Sequence, residues 1–410
     1  MERVVVTGLG AISALGTGAD SNFARALEGA SGIGMLELPG PRQMPASVAA
    51  QIRFPLPELV KKSELPLFDR FALLAWCAAS EALQQSGMLA SAATMARCGV
   101  FWGTGMGGAQ TLENGYADLF VEGKERVRPM SIVAGMNNAA AAQIALRAGF
   151  GGTVNTYSSA CVSSAQAIGE AWRHIRHGYA DCVLAGGSEA LLNYGVVQAW
   201  DAMRVLAPAG ADPARSCRPF ACGRGGLVLG EAGAALMLES WSSATARGAP
   251  ILAELAGYGA SNDATHITKP DPDGQARAMR MALAQAGLAP DVVDYVNAHA
   301  AGTQAGDQAE AASIRAVFGP RGQGPMVSST KAVHGHTLGA AGALELVLTI
   351  QALRAQAVPP TAFLDEQDEA IDLDCVPLQG RRQQRLRAVM SNSFAFGGSN
   401  AALIAVRYDG

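Results

Sequence analysis

"NTYSSACVSSAQAIGEA", residues 155–171, passes from a β-type run into a helix through a turn of small residues that carries one cysteine. The preceding "TVNTY" reads as a strand, and "VSSAQAIGEAWRHIRHG" reads as a helix whose first turn begins beside Cys161. A helix start presents unpaired N–H groups and the positive end of the dipole, so a lowered thiol pKa is expected at that position. Ser158, Ser159 and Ala160 are small enough for a tight turn and a close substrate approach. The same features suit a cysteine that is only packed. On this stretch alone both readings stand.

Strand-like runs and Ala-rich helical runs alternate outward from it along the whole chain. The clearest strands are 3–9, 98–104, 181–187, 233–240, 294–300, 326–330, 388–393 and 401–408, several of them continuous apolar runs that suit burial on both faces. Helices are expected at 68–87, 162–178, 274–287, 304–317 and 338–355, too apolar to be exposed on more than one side. This is α/β architecture with more than one helical layer. "WSSATARGAPILAEL" (241–255) follows a strand and starts a new alternation, which divides the chain into halves of 1–245 and 246–410. "ACVSSAQAIGEA" and "GHTLGAAGALEL" echo each other across that division, each a turn with one reactive side chain before a helix of small residues.

The totals narrow the function. At 410 residues, 49% hydrophobic and 16% charged, the chain is a globular protein with a large interior. A net charge of −4 provides no global attraction to nucleic acid or to an acidic membrane surface. No apolar run is read as reaching the ~18 residues of a membrane span. "MERVVVTGLGAISALG" is read as a buried first strand, with Gly8, Gly10 and Gly16 as turns after it, and not as a signal peptide; a cytoplasmic protein is expected. The seven cysteines include no C-x-x-C pair, and most are expected to be reduced, buried and inert.

"GTGMGG" (103–108) fits a dinucleotide fingerprint, but no clear helix opens at its last glycine and no acid ends a second strand about 20 residues on. It reads instead as a tight turn lining a pocket with Met106. His174 and His177 lie one turn apart without a third ligand and read as a polar helix face; His334 and His336 lack a matching carboxylate motif. His299 ends the strand "DYVNAHA", and His336 lies between a strand and a Gly/Ala-rich helix, five residues after Lys331. Open α/β folds place ligands at such strand ends. One cysteine, two histidines and a lysine converging there form a nucleophile set, not a metal set.

At these residues the sequence resembles the condensing enzymes of the thiolase fold, and most of all the β-ketoacyl-acyl-carrier-protein synthases of the elongating, type II class. The resemblance runs end to end, through "RVVVTGLGAISALG", "GTGMGG", "SSACVSSAQAIGEA", "NAHAAGTQAGDQAE", "STKAVHGHTLGAAGALE" and "SNSFAFGGSNAALI". It implies two duplicated halves of mixed sheet with helices in layers, αβαβα. It implies decarboxylative Claisen condensation, with an acyl group held on Cys161 as a thioester. His299 and His336 would donate hydrogen bonds to the enolate oxygen, and the backbone N–H groups of Cys161 and Phe396 would hold the acyl oxyanion. Lys331 would add positive charge, and Phe396 would gate the site. Met106, Thr303, Leu227 and Gly397 match substrate-binding positions. No cofactor is required, although Asn297, Glu345, Ser391 and Asn392 match positions that hold a structural sodium or potassium ion in some relatives. The implied partners are acyl- and malonyl-acyl-carrier protein, with a homodimer expected and a heterodimer open; no nucleic acid or membrane partner is expected.

The chain also departs from the family. The usual H-G-T-S-T reads His299-Ala300-Ala301-Gly302-Thr303, which leaves Thr303 alone to bond the pantetheine arm. "RPFACGRGGLV" puts Gly225 where an acid is usual and Leu227 where a gating phenylalanine is usual, and Pro66 and Leu67 replace a basic pair. Lys61, Lys62, Lys124, Arg126 and Arg128 remain as candidate contacts for an acidic carrier protein. These departures favour a polyketide or aryl-polyene pathway as the alternative to fatty-acid elongation. A degradative thiolase would need a second catalytic cysteine near the C-terminus, and none follows Cys375. A non-catalytic chain-length partner would lack the nucleophile, and Cys161 is present.

Overall fold

The computed structural model describes residues 1–38, 44, 47–88 and 95–409. Ten strands carry the main sheet. They are β1 (Val4–Ser13), β2 (Cys98–Gly103), β3 (Val154–Tyr157), β4 (Cys182–Glu189), β5 (Ala232–Ser240), β6 (Ala253–Asn262), β7 (Val293–Asn297), β8 (Met326–Ser328), β9 (Ala388–Phe394) and β10 (Ser399–Val406). Their order is β8-β7-β9-β10-β6-β1-β5-β4-β2-β3, with a two-residue strand, Gly16–Thr17, paired to β1. Counted from its own first strand, each half has the same order, 3-2-4-5-1. In each half the pairs 3–2 and 2–4 are parallel, and 4–5 and 5–1 are antiparallel. The halves meet where β1 pairs antiparallel with β6 at Val5–Glu254 and Val6–Ala253.

Seven helices matter for the site. They are α1 (Arg70–Ser86), α2 (Ser163–Arg176), α3 (Tyr194–Ala202), α4 (Pro272–Ala286), α5 (Gln304–Phe318), α6 (Lys331–His334) and α7 (Ala341–Ala355). α1 covers β1 and β5 from outside, α4 covers β6 and β10, and α2 and α7 lie between the two halves of the sheet, touching strands of both. This is helix–sheet–helix–sheet–helix layering. α7 is buried continuously from Ala341 to Leu353, as a helix apolar all round must be. With its preceding turn it makes an 18-residue stretch, Leu338–Ala355, of mean hydropathy 1.3, long and apolar enough to cross a membrane by length and composition. The sequence reading missed that stretch. In the structure 89% of it is buried inside the protein, where a central helix has no polar face to show.

Gly8 and Gly10 are not turns. They lie inside β1, whose ten residues are all buried. A Cβ on either would stand 2.0 Å from a carbonyl oxygen of α1, at Ala82 and Ala78 respectively. The second half repeats the device, with Gly257 and Gly259 of β6 against the Ala282 and Ala278 oxygens of α4. Both strands shift register just before the first of these glycines. The small residues are therefore a packing code that lets helix backbone rest directly on strand backbone. Gly342 does the same between the central helices, since a Cβ there would meet Ala165 Cβ of α2 at 2.7 Å.

Most of the cysteines are reduced and buried as expected, and two are not reduced. Cys98 and Cys182 are register partners on the parallel strands β2 and β4, and they are joined as a disulfide. Neighbouring strands placed the two side chains opposite each other, which no spacing in the sequence announces. Cys77, Cys161, Cys217 and Cys375 are free and buried, and Cys222 is free and exposed.

Candidate active site

The strand β3 ends at Tyr157, and five intervening residues lead to α2 at Ser163. The turn between them is held by Ser163, whose hydroxyl accepts from the Ser159 N–H (2.8 Å) and donates to the Ala160 carbonyl (2.6 Å). Ala160 is driven to φ +53°, a left-handed conformation costly for a residue with a Cβ. The strain aims Cys161 into a cleft of about 340 Å³ that it shares with His299, His336, Phe396, Trp200 and Thr303.

The two histidines arrive from the second half. His336 follows α6 and Gly335, and its N–H donates to the Val228 carbonyl at 2.6 Å. Its Nε2 lies 3.0 Å from Cys161 Sγ. His299 leaves the end of β7, with its ring edge-on to that of His336 at a centroid distance of 5.1 Å. Its backbone is clamped by Glu310 of α5, whose two carboxylate oxygens accept from the N–H groups of His299 (2.9 Å) and Ala300 (2.6 Å). Lys331 is fully buried and pairs with Glu345 of α7 at 2.5 Å.

Burial sets the protonation states. Desolvation pushes the Cys161 thiol up to about 12, with Lys331 pulling the other way. The expected lowering at the helix start is outweighed, because Cys161 is only 6% exposed and the nearby carboxylates of Glu189 and Glu345 also oppose a thiolate. His299 and His336 are held well below the usual imidazole value, first by desolvation and then by the Lys331 charge. Both imidazoles are therefore neutral near pH 7, and the resting pair is a neutral thiol beside a neutral ring.

The other predicted residues divide. Thr303 and Leu227 line the cleft. Phe396 lines its mouth, 37% exposed, with its ring stacked on Trp200 at 6.0 Å. Its N–H, like that of Cys161, donates to no other residue's backbone among the described residues. Gly397 does not line the cleft; its N–H donates to the Ile267 carbonyl and its carbonyl accepts from Asn262 Nδ2, which ties the turn to the 262–267 segment. Met106 is likewise absent from the cleft wall and 49% exposed. The "GTGMGG" turn instead serves Glu189, a buried carboxylate that accepts from Gly105 N–H (2.6 Å), Met106 N–H (3.3 Å), Thr104 Oγ1 (3.0 Å) and Gly339 N–H (3.0 Å). A buried carboxylate needs such donors, and a glycine turn supplies them from its backbone.

His174 packs between Phe101 and Tyr179, and His334 bonds Thr330 at 3.0 Å. Asn297, Glu345, Ser391 and Asn392 are buried, and the Glu345 Oε2, Ser391 Oγ and Asn392 Oδ1 atoms have no hydrogen-bond partner. Orphaned hard oxygens of this kind suit a monovalent cation. Of the candidate carrier contacts, Lys124 is engaged by Asp118 and Glu122, while Lys61, Lys62, Arg126 and Arg128 are exposed. Glu310 and Trp200 escaped the sequence reading. Glu310 sits in the quoted "GDQAE" as a buried acid eleven residues after His299, a signal that alternation alone does not raise.

Comparison with known proteins agrees with this geometry. Residues 1–244 match the β-ketoacyl synthase N-terminal domain and residues 252–365 its C-terminal domain. The chain is 43% identical over 404 residues to nodulation protein E of Rhizobium meliloti (strain 1021), covering 98% of each. It is 37% identical to 3-oxoacyl-[acyl-carrier-protein] synthase 2 of Coxiella burnetii, covering 99% of this chain and 98% of that one. Among solved structures, a type II polyketide acyl-carrier protein in complex with its ketosynthase bound to the hexaketide superposes at a TM-score of 0.90, with 30% identity over the full length of both chains. The layering is thiolase-like, and the chain belongs to the β-ketoacyl synthase family of condensing enzymes.

Proposed function

We propose that the protein extends an acyl chain carried on Cys161 by decarboxylative condensation with malonyl-acyl-carrier protein, giving a 3-oxoacyl-acyl-carrier protein. The observation that carries the reading is the 3.0 Å approach of His336 Nε2 to Cys161 Sγ, with His299 edge-on beside it in one cleft. In the first half-reaction the sulfur attacks the acyl thioester, and its proton passes by way of His336 to the departing carrier sulfur. The N–H groups of Cys161 and Phe396 hold the oxyanion. In the second half-reaction the malonyl carboxylate leaves as carbon dioxide, and its electron pair enters an enolate. Neutral His299 and His336 donate hydrogen bonds to the enolate oxygen. The enolate carbon then attacks the Cys161 thioester carbonyl, the C–S bond breaks, and the departing thiolate takes one proton from solvent to restore the thiol.

Intact-mass measurement after incubation with acyl-carrier thioesters tests this. One acyl adduct per chain on Cys161, absent from Cys161→Ala, is expected; no adduct in the wild-type chain would sink the enzyme reading.

A second reading, a polyketide or related specialised pathway in place of fatty-acid elongation, draws on the cleft wall. Ala301 and Leu227 make that wall apolar where a hydroxyl and an aromatic ring are usual in the family. Assaying the condensation with carriers and chain lengths from both kinds of pathway separates the two. We also propose a cytoplasmic homodimer. The edge strand β3 has an open side with Val154 exposed, and Tyr116, Phe120 and Ile132 are exposed apolar residues. A sodium or potassium ion is proposed for the Asn297, Glu345, Ser391 and Asn392 oxygens, with a structural role only.

A further inference from the structure

The catalytic side chains are also a set of metal ligands. Cys161 Sγ and one ring nitrogen each of His299 and His336 all lie within 4.8 Å of one another. Among the described residues no other group of three or more His, Cys, Asp or Glu side chains converges in this way. Ligands on a tetrahedral zinc ion stand roughly 3.5 Å apart, given metal–ligand bonds of about 2.0–2.3 Å. Side-chain movements of about an ångström therefore close the set. Three protein ligands with the fourth position facing an open cleft is the pattern of accessible zinc centres. A thiolate with two imidazoles suits zinc and not magnesium or calcium, which take oxygen ligands.

Two features keep such a site weak enough to be reversible. The Lys331 ammonium bears on both rings electrostatically, repelling a second cation. The Nδ1 atoms of His299 and His336 have no hydrogen-bond partner, so the support that usually stiffens a metal-bound histidine is missing.

We propose that Cys161, His299 and His336 form a reversible inhibitory site for a zinc ion, which competes with the acyl group for the same sulfur. On binding, the Sγ–H bond breaks, the proton leaves to buffer, and the sulfur electron pair makes the Zn–S bond without any change of oxidation state. Binding follows from the ligand geometry alone; that it inhibits rests on Cys161 being the acyl carrier of the proposed condensation.

The test uses the full chain in metal-depleted buffer, with cobalt(II) as the spectroscopic probe and zinc as its competitor. One cobalt per chain is expected to bind with a sulfur-to-metal charge-transfer band that zinc displaces and magnesium does not. The band should be absent from Cys161→Ala and from wild-type protein alkylated beforehand with iodoacetamide. Saturating zinc should slow alkylation of Cys161 by about tenfold or more, and EDTA should restore the rate. A band that survives both treatments, or alkylation unslowed at saturating zinc, overturns the site and assigns the metal to exposed groups such as Cys222 or His266. A normal band in protein that condenses nothing after chelation supports the site and counts against the proposed function.

Discussion

The Lys331 ammonium lies 2.5 Å from the Glu345 carboxylate, with both side chains fully buried behind the histidine pair. Two charges taken out of water together are tolerable; one left alone is not. The pair ties α6, which carries Lys331 and leads into His336, to the central helix α7. Removing the carboxylate with Glu345→Ala should therefore destabilise the fold by about 3–5 kcal/mol, read as a shift in the urea midpoint. Lys331→Met should cost less, because the remaining Glu345 carboxyl is already pushed up to about 7 by burial and can protonate. Equal costs would contradict this account.

The depressed histidines make a prediction about pH. For His299 and His336 the folded-state pKa lies below the unfolded one, so protons bind the unfolded chain first as pH falls. Their contribution to stability is complete above about pH 6.5 and is lost progressively as pH falls below it. Activity should not share that midpoint, because folded enzyme keeps both rings neutral. The acid limb of the condensation rate should lie well below the ordinary histidine value on protein shown to be folded at each pH. A limb at the ordinary histidine value would place the rings in water.

With the thiol pushed up to about 12, free Cys161 is not a preformed thiolate. Its alkylation by iodoacetamide should rise with pH through 9 without a plateau, and at pH 7 should be slower than that of exposed Cys222. Peptide-resolved mass spectrometry follows both cysteines in one experiment.

Glu310 should act as a positioning residue for one half-reaction. Its carboxylate fixes the backbone at His299 and Ala300 and does not touch Cys161. Glu310→Gln keeps the shape but replaces one acceptor by a donor facing an N–H. Acyl transfer to Cys161 should stay within about threefold of wild type, while condensation falls roughly a hundredfold, the scale set by displacing a catalytic group by about an ångström. Parallel loss of both would indicate a general structural defect.

The strand glycines should resist substitution in matched pairs. Gly10→Ala and Gly259→Ala each drive a Cβ to 2.0 Å from a helix carbonyl oxygen, so each should cost about 3 kcal/mol or more in denaturant unfolding. Gly210→Ala, with nothing within 4 Å of the added carbon, provides the control and should shift stability by less than about 0.5 kcal/mol.

Local chemistry was legible in the chain. Apolar runs marked the strands at 98–104, 181–187 and 388–393 to within a residue or two, because continuous burial writes itself into consecutive residues. Cys161, His299 and His336 announced themselves by residue type and by position at turns and strand ends, and the structure brings all three into one cleft. What the tertiary structure alone decided depends on partners distant in the chain. Glu189 claims the "GTGMGG" turn from 83 or more residues away, Glu310 reaches His299 from the next helix, and Cys98 finds Cys182 across a strand pair. The thiol pKa belongs to the same class: a helix start is visible in a sequence, but the desolvation that overrides it exists only once side chains from both halves have closed around Cys161.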